Sequence, residues 1–258
     1  MWFKIKSYIL FLLKSTNQHG VHSPFVYDLV TKCFYRKKNI IKNNLLGNIK
    51  NWLYKNHTII TVTDFENDSK ILKNNNRKVT EIAKITGISN KKSILLIKLL
   101  AYFKPQHILE IGTSVGIGTA TLSIGNSSSK ISTLEGCKNT AAIAQELFDT
   151  FKLKNIQLTI GNINDTLPSI LKNNPFDFTY FDGNHQKEAT LNYFNWCLET
   201  VHNNSIFIFD DINCSPEMQQ AWLSIKNHQK VTVSIDTYFW GIVFFRKEQE
   251  KEHFTIRV

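Results

Sequence analysis

The sequence contains few cysteines and no long apolar run. The four cysteines lie far apart, without a CxxC pair or a Cys/His cluster at zinc-binding spacing: Cys33, Cys137, Cys197 and Cys214. This spacing predicts free thiols in a reducing compartment, and we expect a cytoplasmic protein. No apolar run approaches the ~20 residues that a membrane-spanning helix needs. The sequence therefore predicts no transmembrane segment.

The first fifteen residues contain only a short apolar run. It extends from Tyr8 to Leu13 and ends at Lys14, which is too short for a secretory signal, and no small-residue cleavage site follows. The pattern favours a helix that docks on the protein body. Because Trp2 and Phe3 precede two lysines, a membrane-surface anchor remains the alternative.

Acidic residues are scarce in the first hundred positions. That part has 18 basic and 5 acidic residues, a net charge of +13, whereas the remainder has a net charge of −3. A basic segment of this kind indicates either a module that binds an acidic partner or a lysine-rich surface without one.

From residue 107 onward, short apolar runs alternate with helical stretches. Five runs are typical of strands buried on both faces: His107–Ile111, Lys130–Leu134, Ile156–Ile160, Phe176–Phe181 and Ser205–Phe209. The alternation predicts an α/β, doubly wound, Rossmann-like fold with a parallel sheet. Two later runs, Val231–Ile235 and Tyr238–Phe245, are joined tightly and predict a hairpin with one antiparallel strand at that sheet edge.

The first part of the chain indicates mainly helix and loop. Ser23 is a predicted N-cap with Pro24 at the first helical position, and Ser89 is predicted to cap a helix that runs to about Phe103. We therefore expect a helical N-terminal or lid segment over residues 1–88, followed by a ligand-binding domain over residues 89–258.

A glycine-rich loop follows the first predicted strand. Gly112, Gly116 and Gly118 give a GxxxGxG spacing, which disfavours the GxGxxG pattern of nicotinamide-binding folds. Such a loop lets a ligand approach the backbone closely. Glu135, at the end of the second run, is placed to accept the ribose hydroxyls of an adenosine ligand.

The segment from Glu110 to Gly116 resembles the nucleotide loop of class I S-adenosylmethionine-dependent methyltransferases, in particular the catechol-type O-methyltransferases. The resemblance extends through Leu134–Gly136, Gly161–Asn162, Phe181–His185 and Phe209–Asp211. It implies a seven-stranded sheet with the last strand antiparallel. It also implies methyl transfer from S-adenosylmethionine to a hydroxyl of a small-molecule acceptor.

The resemblance also implies roles for single residues in cofactor binding. Gly112, Thr113 and Gly116 would line the methionine part, Glu110 and Asp182 would lie near its amino group, Glu135 would hold the ribose, and Asn162 with Ile163 would border the adenine. Asn162 departs from the aspartate that the family often carries there. Its amide can still donate a hydrogen bond to a ring nitrogen.

Three carboxylates are expected at the carboxyl edge of the sheet. Asp182 follows the fourth run, and Asp210 and Asp211 end the fifth. Oxygen ligands suit Mg²⁺ or Ca²⁺, and the catechol-type enzymes hold Mg²⁺ at these positions, with Asn where this chain has Asp211. His185 stands where those enzymes carry a lysine base. The resemblance therefore implies His185 and Asp182 as catalytic residues. The alternatives are that Asp210 or Asp211 caps the loop before the next helix and that His185 is an exposed residue at a helix start.

Other side chains are candidates for the acceptor pocket or for a lid over it. The aromatic candidates are Tyr180, Trp240, Phe25 and Tyr27, with a core position as the alternative for Tyr180. His19, His22 and Asp64 are the lid candidates, although a turn stabilised by His22 and Ser23 is the favoured interpretation.

Two other function classes remain open. The basic segment is compatible with an RNA or DNA methyltransferase, but the sequence has no Asn/Asp-Pro-Pro-aromatic motif and no paired catalytic cysteines. Lysine also dominates over arginine, so a nucleic-acid partner is disfavoured. A protein that binds the cofactor without catalysis is the second alternative. The oligomeric state is left open, with a homodimer as one candidate.

Overall fold

The computed structural model describes residues 2–36, 44–63, 75–172 and 175–258. The α-helices of these residues are α1 (Trp2–Lys14), α2 (Pro24–Leu29), α3 (Leu45–Tyr54), α4 (Val79–Ile85), α5 (Asn90–Phe103), α6 (Ile117–Gly125), α7 (Lys138–Thr150), α8 (Ile163–Leu171), α9 (Lys187–Cys197) and α10 (Pro216–Asn227). The strands are β1 (Ile59–Thr61), β2 (Asn76–Lys78), β3 (His107–Ile111), β4 (Lys130–Glu135), β5 (Ile156–Ile160), β6 (Phe178–Phe181), β7 (Ile206–Asp210), β8 (Val233–Asp236), β9 (Trp240–Phe244) and β10 (Glu252–Thr255).

The chain divides into two compact units. The split unit joins residues 1–36 to residues 171–258, and the continuous unit comprises residues 37–170. Strands β3 to β10 belong to one eight-stranded, mainly parallel sheet, so the predicted α/β fold is confirmed. The domain division at residue 88 stays a prediction.

In the continuous unit, β3, β4 and β5 pair in parallel in that order. These strands alternate with α6 and α7, as the apolar runs predict. Before β3, the Ser89 hydroxyl accepts a hydrogen bond from the Lys92 amide at 3.3 Å, which confirms the predicted cap of α5. A separate antiparallel pair is formed by β1 and β2, with Ile59 opposite Lys78.

In the split unit, the strand order is β10-β8-β9-β7-β6. Strand β9 is antiparallel to both β7 and β8, so the predicted hairpin is confirmed. Strand β10 pairs in parallel with β8 and adds an eighth strand to the seven that the resemblance implied. A side chain at Gly241 would lie 2.5 Å from the Trp222 ring, so a glycine in β9 lets α10 pack closely on the sheet.

The first helices pack within the split unit. The Phe25 ring lies edge-on against Phe244, with 5.0 Å between ring centroids, and the Arg246 guanidinium lies 4.7 Å from the Phe25 centroid. Ser23 precedes α2 as predicted, but its hydroxyl donates to the Gln249 side chain at 3.3 Å and makes no capping bond. In the described part of the chain, no helix is both long and apolar enough to cross a membrane.

Candidate functional site

The glycine loop follows β3 in the continuous unit. Gly112, Ser114 and Gly116 have positive φ angles of 102°, 50° and 87°. The amides of Gly112 and Thr113 both donate to the Leu134 carbonyl, at 3.0 and 3.1 Å, so the loop is held at the end of β4. Glycine is needed at position 116, because a side chain there would adopt a rare backbone conformation.

Packing adds a second restriction at Gly116. A Cβ atom would lie 2.9 Å from the Phe148 ring and 3.2 Å from the Ala144 side chain. Both neighbours belong to α7, so the loop lies directly against this helix. The backbone amides at the start of α6 follow immediately, which is the arrangement that lets a loop bind a polar ligand through its backbone.

Glu135 ends β4 and is fixed by two backbone donors. Its Oε2 accepts from the Ser114 amide at 2.7 Å, and its Oε1 accepts from the Cys137 amide at 2.8 Å. Burial raises the pKa of the carboxyl, while these hydrogen bonds oppose that shift. The Thr140 side chain and the Gly136 amide also act as donors to this carboxylate.

Glu110 lies in β3 and is fully buried. Its Oε2 accepts from the hydroxyls of Thr119 and Thr133, the latter at 2.6 Å. Its Oε1 is buried and has no hydrogen-bond partner among the described residues. Burial raises the pKa of Glu110 to about 7, and the two threonine hydrogen bonds oppose this shift.

Thr119 and Thr133 contact the candidate residue Glu110, and neither was singled out from the sequence. Thr133 is the partner of Glu110 in the β3–β4 register, and its hydroxyl lies 2.6 Å from that of Thr113. Glu110 is thereby connected to the glycine loop through two threonines. The available signal was Glu110 itself. It is a charged residue within the mainly apolar strand β3, and such a residue needs hydrogen-bond partners when it is buried.

The remaining predicted cofactor residues of this unit follow β5. Asn162 is exposed, and its Oδ1 accepts from the Asn164 amide at 2.9 Å at the start of α8, where Ile163 is half-buried. The preceding Gly161 amide donates to the Glu135 carbonyl at 2.9 Å. The parallel pairing of β3, β4 and β5 thus brings the glycine loop, Glu135 and Asn162 to the carboxyl ends of three neighbouring strands.

The predicted carboxylates of the split unit follow β6 and β7. These strands pair in parallel with Phe181 opposite Phe209, so Asp182 and Asp210 follow at the same edge. Asp210 is buried, and Asp211 has a φ angle of 50°. Burial raises the pKa of the nearby Cys214 thiol, and the negative charge of Asp211 raises it further.

A small cleft in the split unit contains His185 and Asp210. Its wall also includes Phe181, Gly183 and Met218, and its volume of about 10 Å³ is that of about one water molecule. His185 is exposed. Within the described residues, no three or more His, Cys, Asp or Glu side chains are grouped so that they could hold a metal ion.

Several other candidates lie away from this cleft. Tyr180 and Trp240 are fully buried with 5.9 Å between their ring centroids, so both belong to the core and do not line an open pocket. Phe25 packs on β9, and Tyr27 is exposed. His19 and His22 are exposed near the short helical turn Gln18–Gly20, which the Asn17 side chain caps. Asp64 lies outside the described residues.

The central part of the chain is similar to a known family model. Residues 109–212 match the family model described as a methyltransferase domain. This segment includes both the glycine loop and the carboxyl ends of β6 and β7. The match confirms the predicted resemblance to class I methyltransferases. No curated protein matches the sequence.

Solved structures share the fold at low sequence identity. An O-methyltransferase from Bacillus cereus in complex with SAH is 22% identical, with a TM-score of 0.54 over 64% of this chain and 89% of that one. The SAH-bound methyltransferase PaMTH1 from Podospora anserina is 15% identical, with a TM-score of 0.62 over 88% and 97% of the two chains. The O-methyltransferase TomG from Streptomyces achromogenes, involved in tomaymycin synthesis and in complex with SAM, is 17% identical, with a TM-score of 0.54 over 62% and 81%.

Proposed function

We propose that the protein is an S-adenosylmethionine-dependent methyltransferase that acts on a hydroxyl group of a small molecule. One observation carries this proposal. The Glu135 carboxylate, which is expected to bind the ribose, accepts a 2.7 Å hydrogen bond from the Ser114 amide in the glycine loop. The O-methyltransferases from Bacillus cereus and Streptomyces achromogenes, described in complex with SAH and SAM, support the choice of cofactor.

The continuous unit supplies the residues proposed for cofactor binding. The loop from Gly112 to Gly116 lets the methionine part approach the backbone, Glu135 accepts the ribose hydroxyls, and Asn162 with Ile163 borders the adenine. Glu110 is fully buried, so we assign it a positioning role. It orients Thr133, whose hydroxyl in turn contacts that of Thr113 in the loop. The predicted contact of Glu110 with the amino group stays a prediction.

When bound, S-adenosylmethionine supplies an electrophilic methyl group on a sulfonium, so the protein mainly has to orient the acceptor and remove its proton. His185 is the proposed base. An imidazole can accept a proton from a hydroxyl and so act as a general base. The exposed position of His185 gives an acceptor access to it. The predicted contact of Asp182 with the cofactor stays a prediction.

The predicted Mg²⁺ ion is not used in this proposal. Asp182, Asp210 and Asp211 do not form a three-ligand metal group among the described residues. One or two carboxylates with water and substrate oxygens are sufficient for Mg²⁺ in other proteins. The ion therefore stays a prediction, and so does the homodimer.

A transfer assay tests the proposal. The protein is incubated with methyl-labelled S-adenosylmethionine and metabolite extracts or a panel of phenols and catechols, and labelled products are identified. We expect His185→Ala to reduce transfer about 10²–10⁴-fold, whereas the exposed His57→Ala should leave it unchanged. Cofactor binding without transfer to any acceptor would favour the non-catalytic alternative, and transfer to RNA or DNA would favour the nucleic-acid enzyme.

A further inference from the structure

The first helix exposes large apolar side chains along the side that faces away from the protein. Only Ser7 and Phe11 of α1 are buried. Trp2 and Leu13 are both 78% exposed, and Ile9 is 52% exposed. The residues at positions 2, 5, 9 and 13 recur at helical spacing, so they form one stripe on the side away from Phe11.

Specific contacts hold α1 in this orientation. The Tyr238 ring packs against Tyr8 and Phe11, with 4.8 and 5.5 Å between ring centroids. The Tyr238 hydroxyl donates to the Lys4 carbonyl at 2.9 Å. After the helix, the Thr16 amide donates to the Thr255 carbonyl at 2.9 Å, next to the end of β10. Since both ends are attached to the split unit, the exposed stripe results from how the helix docks.

Such a stripe differs from ordinary surface exposure. Single exposed apolar residues such as Leu223 on α10 are common in proteins. A continuous apolar strip on one helix is uncommon and typically marks a surface that binds a partner. The thirteen-residue helix is too short to cross a bilayer. Its apolar face is therefore suited to lie in the plane of an interface.

The charges of α1 identify the kind of partner. Lys4, Lys6 and Lys14 are exposed, and α1 contains no acidic residue. Lys6 borders the stripe, whereas Lys4 and Lys14 lie on the side of Phe11, near Cys214 and Asp236. A second copy of the chain docked through the same face would bring Lys6 close to its own counterpart, with no acidic residue of α1 to offset the repulsion. An anionic lipid surface would instead attract Lys6, and Trp2 and Tyr8 are residues that prefer the headgroup region.

We propose that α1 is an interfacial helix that binds this protein to anionic lipid bilayers. The stripe of Trp2, Ile5, Ile9 and Leu13 inserts at the level of the headgroups, and Lys6 contacts lipid phosphates. This proposal rests on the contacts and charges of α1 and does not depend on methyl transfer.

Vesicle binding of the full chain tests the proposal. The protein is sedimented with vesicles of phosphatidylcholine alone or mixed with phosphatidylglycerol. We expect binding to the mixed vesicles that decreases with added salt. The Ile9→Ser/Leu13→Ser variant should weaken partitioning roughly tenfold or more, and Lys6→Gln should weaken it roughly fivefold. Leu223→Ser is the matched control, since it removes an apolar side chain that is 49% exposed elsewhere in the same unit.

Two further readouts keep the outcome decisive. Vesicles should shift the tryptophan emission to shorter wavelength, and Trp2→Phe should abolish this shift while circular dichroism stays unchanged. Failure of the folded protein to bind the mixed vesicles would overturn the proposal. A concentration-dependent dimer that Ile9→Ser/Leu13→Ser dissociates, without vesicle binding, would assign the stripe to a second copy of the chain instead.

Discussion

Glu135 Oε2 accepts a 2.7 Å hydrogen bond from the backbone amide of Ser114. This bond joins the last residue of β4 to the centre of the glycine loop. Ser114 has a φ angle of 50°, which is uncommon for a residue other than glycine. The residue expected to bind the ribose therefore also stabilises the loop expected to bind the methionine part, so one substitution should affect both.

Replacing Glu135 with alanine should weaken cofactor binding. The Ser114 and Cys137 amides would lose the carboxylate that accepts their hydrogen bonds. The ribose hydroxyls would lose the same proposed acceptor. Because hydrogen bonds to charged groups contribute about 1.5–3 kcal/mol each, we expect the affinity for S-adenosylhomocysteine to fall roughly 10- to 100-fold. Titration calorimetry measures the change, with the exposed Glu146→Ala as the matched control. An unchanged affinity for S-adenosylhomocysteine would show that Glu135 does not bind the cofactor.

Glu110 should make stability depend on pH in an unusual direction. Burial raises its pKa from 4.5 to about 7 in the folded protein. The folded state therefore binds the proton more tightly than the unfolded state. The contribution of Glu110 to stability is complete below pH 4.5 and decreases as the pH rises through 7. This pKa shift corresponds to a loss of about 3 kcal/mol in the free energy of unfolding between low and high pH.

The Glu110→Gln variant tests this linkage. We expect the variant to be more stable relative to the original protein at pH 8 than at pH 5, so that the free energy of unfolding of the variant minus that of the original is more positive at pH 8. Urea denaturation at both pH values gives the two differences, and Glu146→Gln serves as the control for loss of an exposed carboxyl. A difference that is equal at both pH values would show that the Glu110 carboxyl is not responsible.

Two glycines form a matched pair for testing the loop. Gly116 has a φ angle of 87° and lies against α7, so Gly116→Ala should destabilise the protein by more than ~1 kcal/mol. A methyl group at Gly47 in α3 would have no other atom within 4 Å, so Gly47→Ala should stabilise the protein by about 0.5–1 kcal/mol. Urea denaturation distinguishes the two. Equal effects would contradict the assignment of position 116 to a restricted turn.

Chelation tests the predicted metal ion. If Mg²⁺ bridges the acceptor to Asp182 or Asp210, excess chelator should abolish methyl transfer and added Mg²⁺ should restore it. Asp210→Asn should then have the same effect as chelation, while binding of S-adenosylhomocysteine stays unchanged. Full transfer in excess chelator would show that the carboxylates at this edge serve another purpose.

The sequence predicted most of the sheet because its strands are short apolar runs with clear ends. The bounds of β3 and β5 match the predicted runs, and the seven predicted strands are all present. Strand β10 was missed, since Phe254 is its only apolar residue and all four residues from Glu252 to Thr255 are at least partly exposed. Its structure follows from pairing with β8, which local sequence does not reveal.

The site was predictable to a similar extent. The glycine loop and Glu135 lie at the strand ends where the motif placed them. Their partners were not predictable, because Thr119 and Thr133 become neighbours of Glu110 only through helix packing and strand register. Ser23 shows the same limit, since its hydroxyl contacts Gln249, more than two hundred residues away, and not its own helix.

The most direct test of the proposed function is titration calorimetry of the full chain with S-adenosylhomocysteine and, separately, with NAD. The GxxxGxG loop and the fixed Glu135 carboxylate predict saturable, one-site binding of S-adenosylhomocysteine, which Glu135→Ala weakens, and no binding of NAD. Binding of NAD without binding of S-adenosylhomocysteine would contradict the assignment of this protein to the methyltransferases.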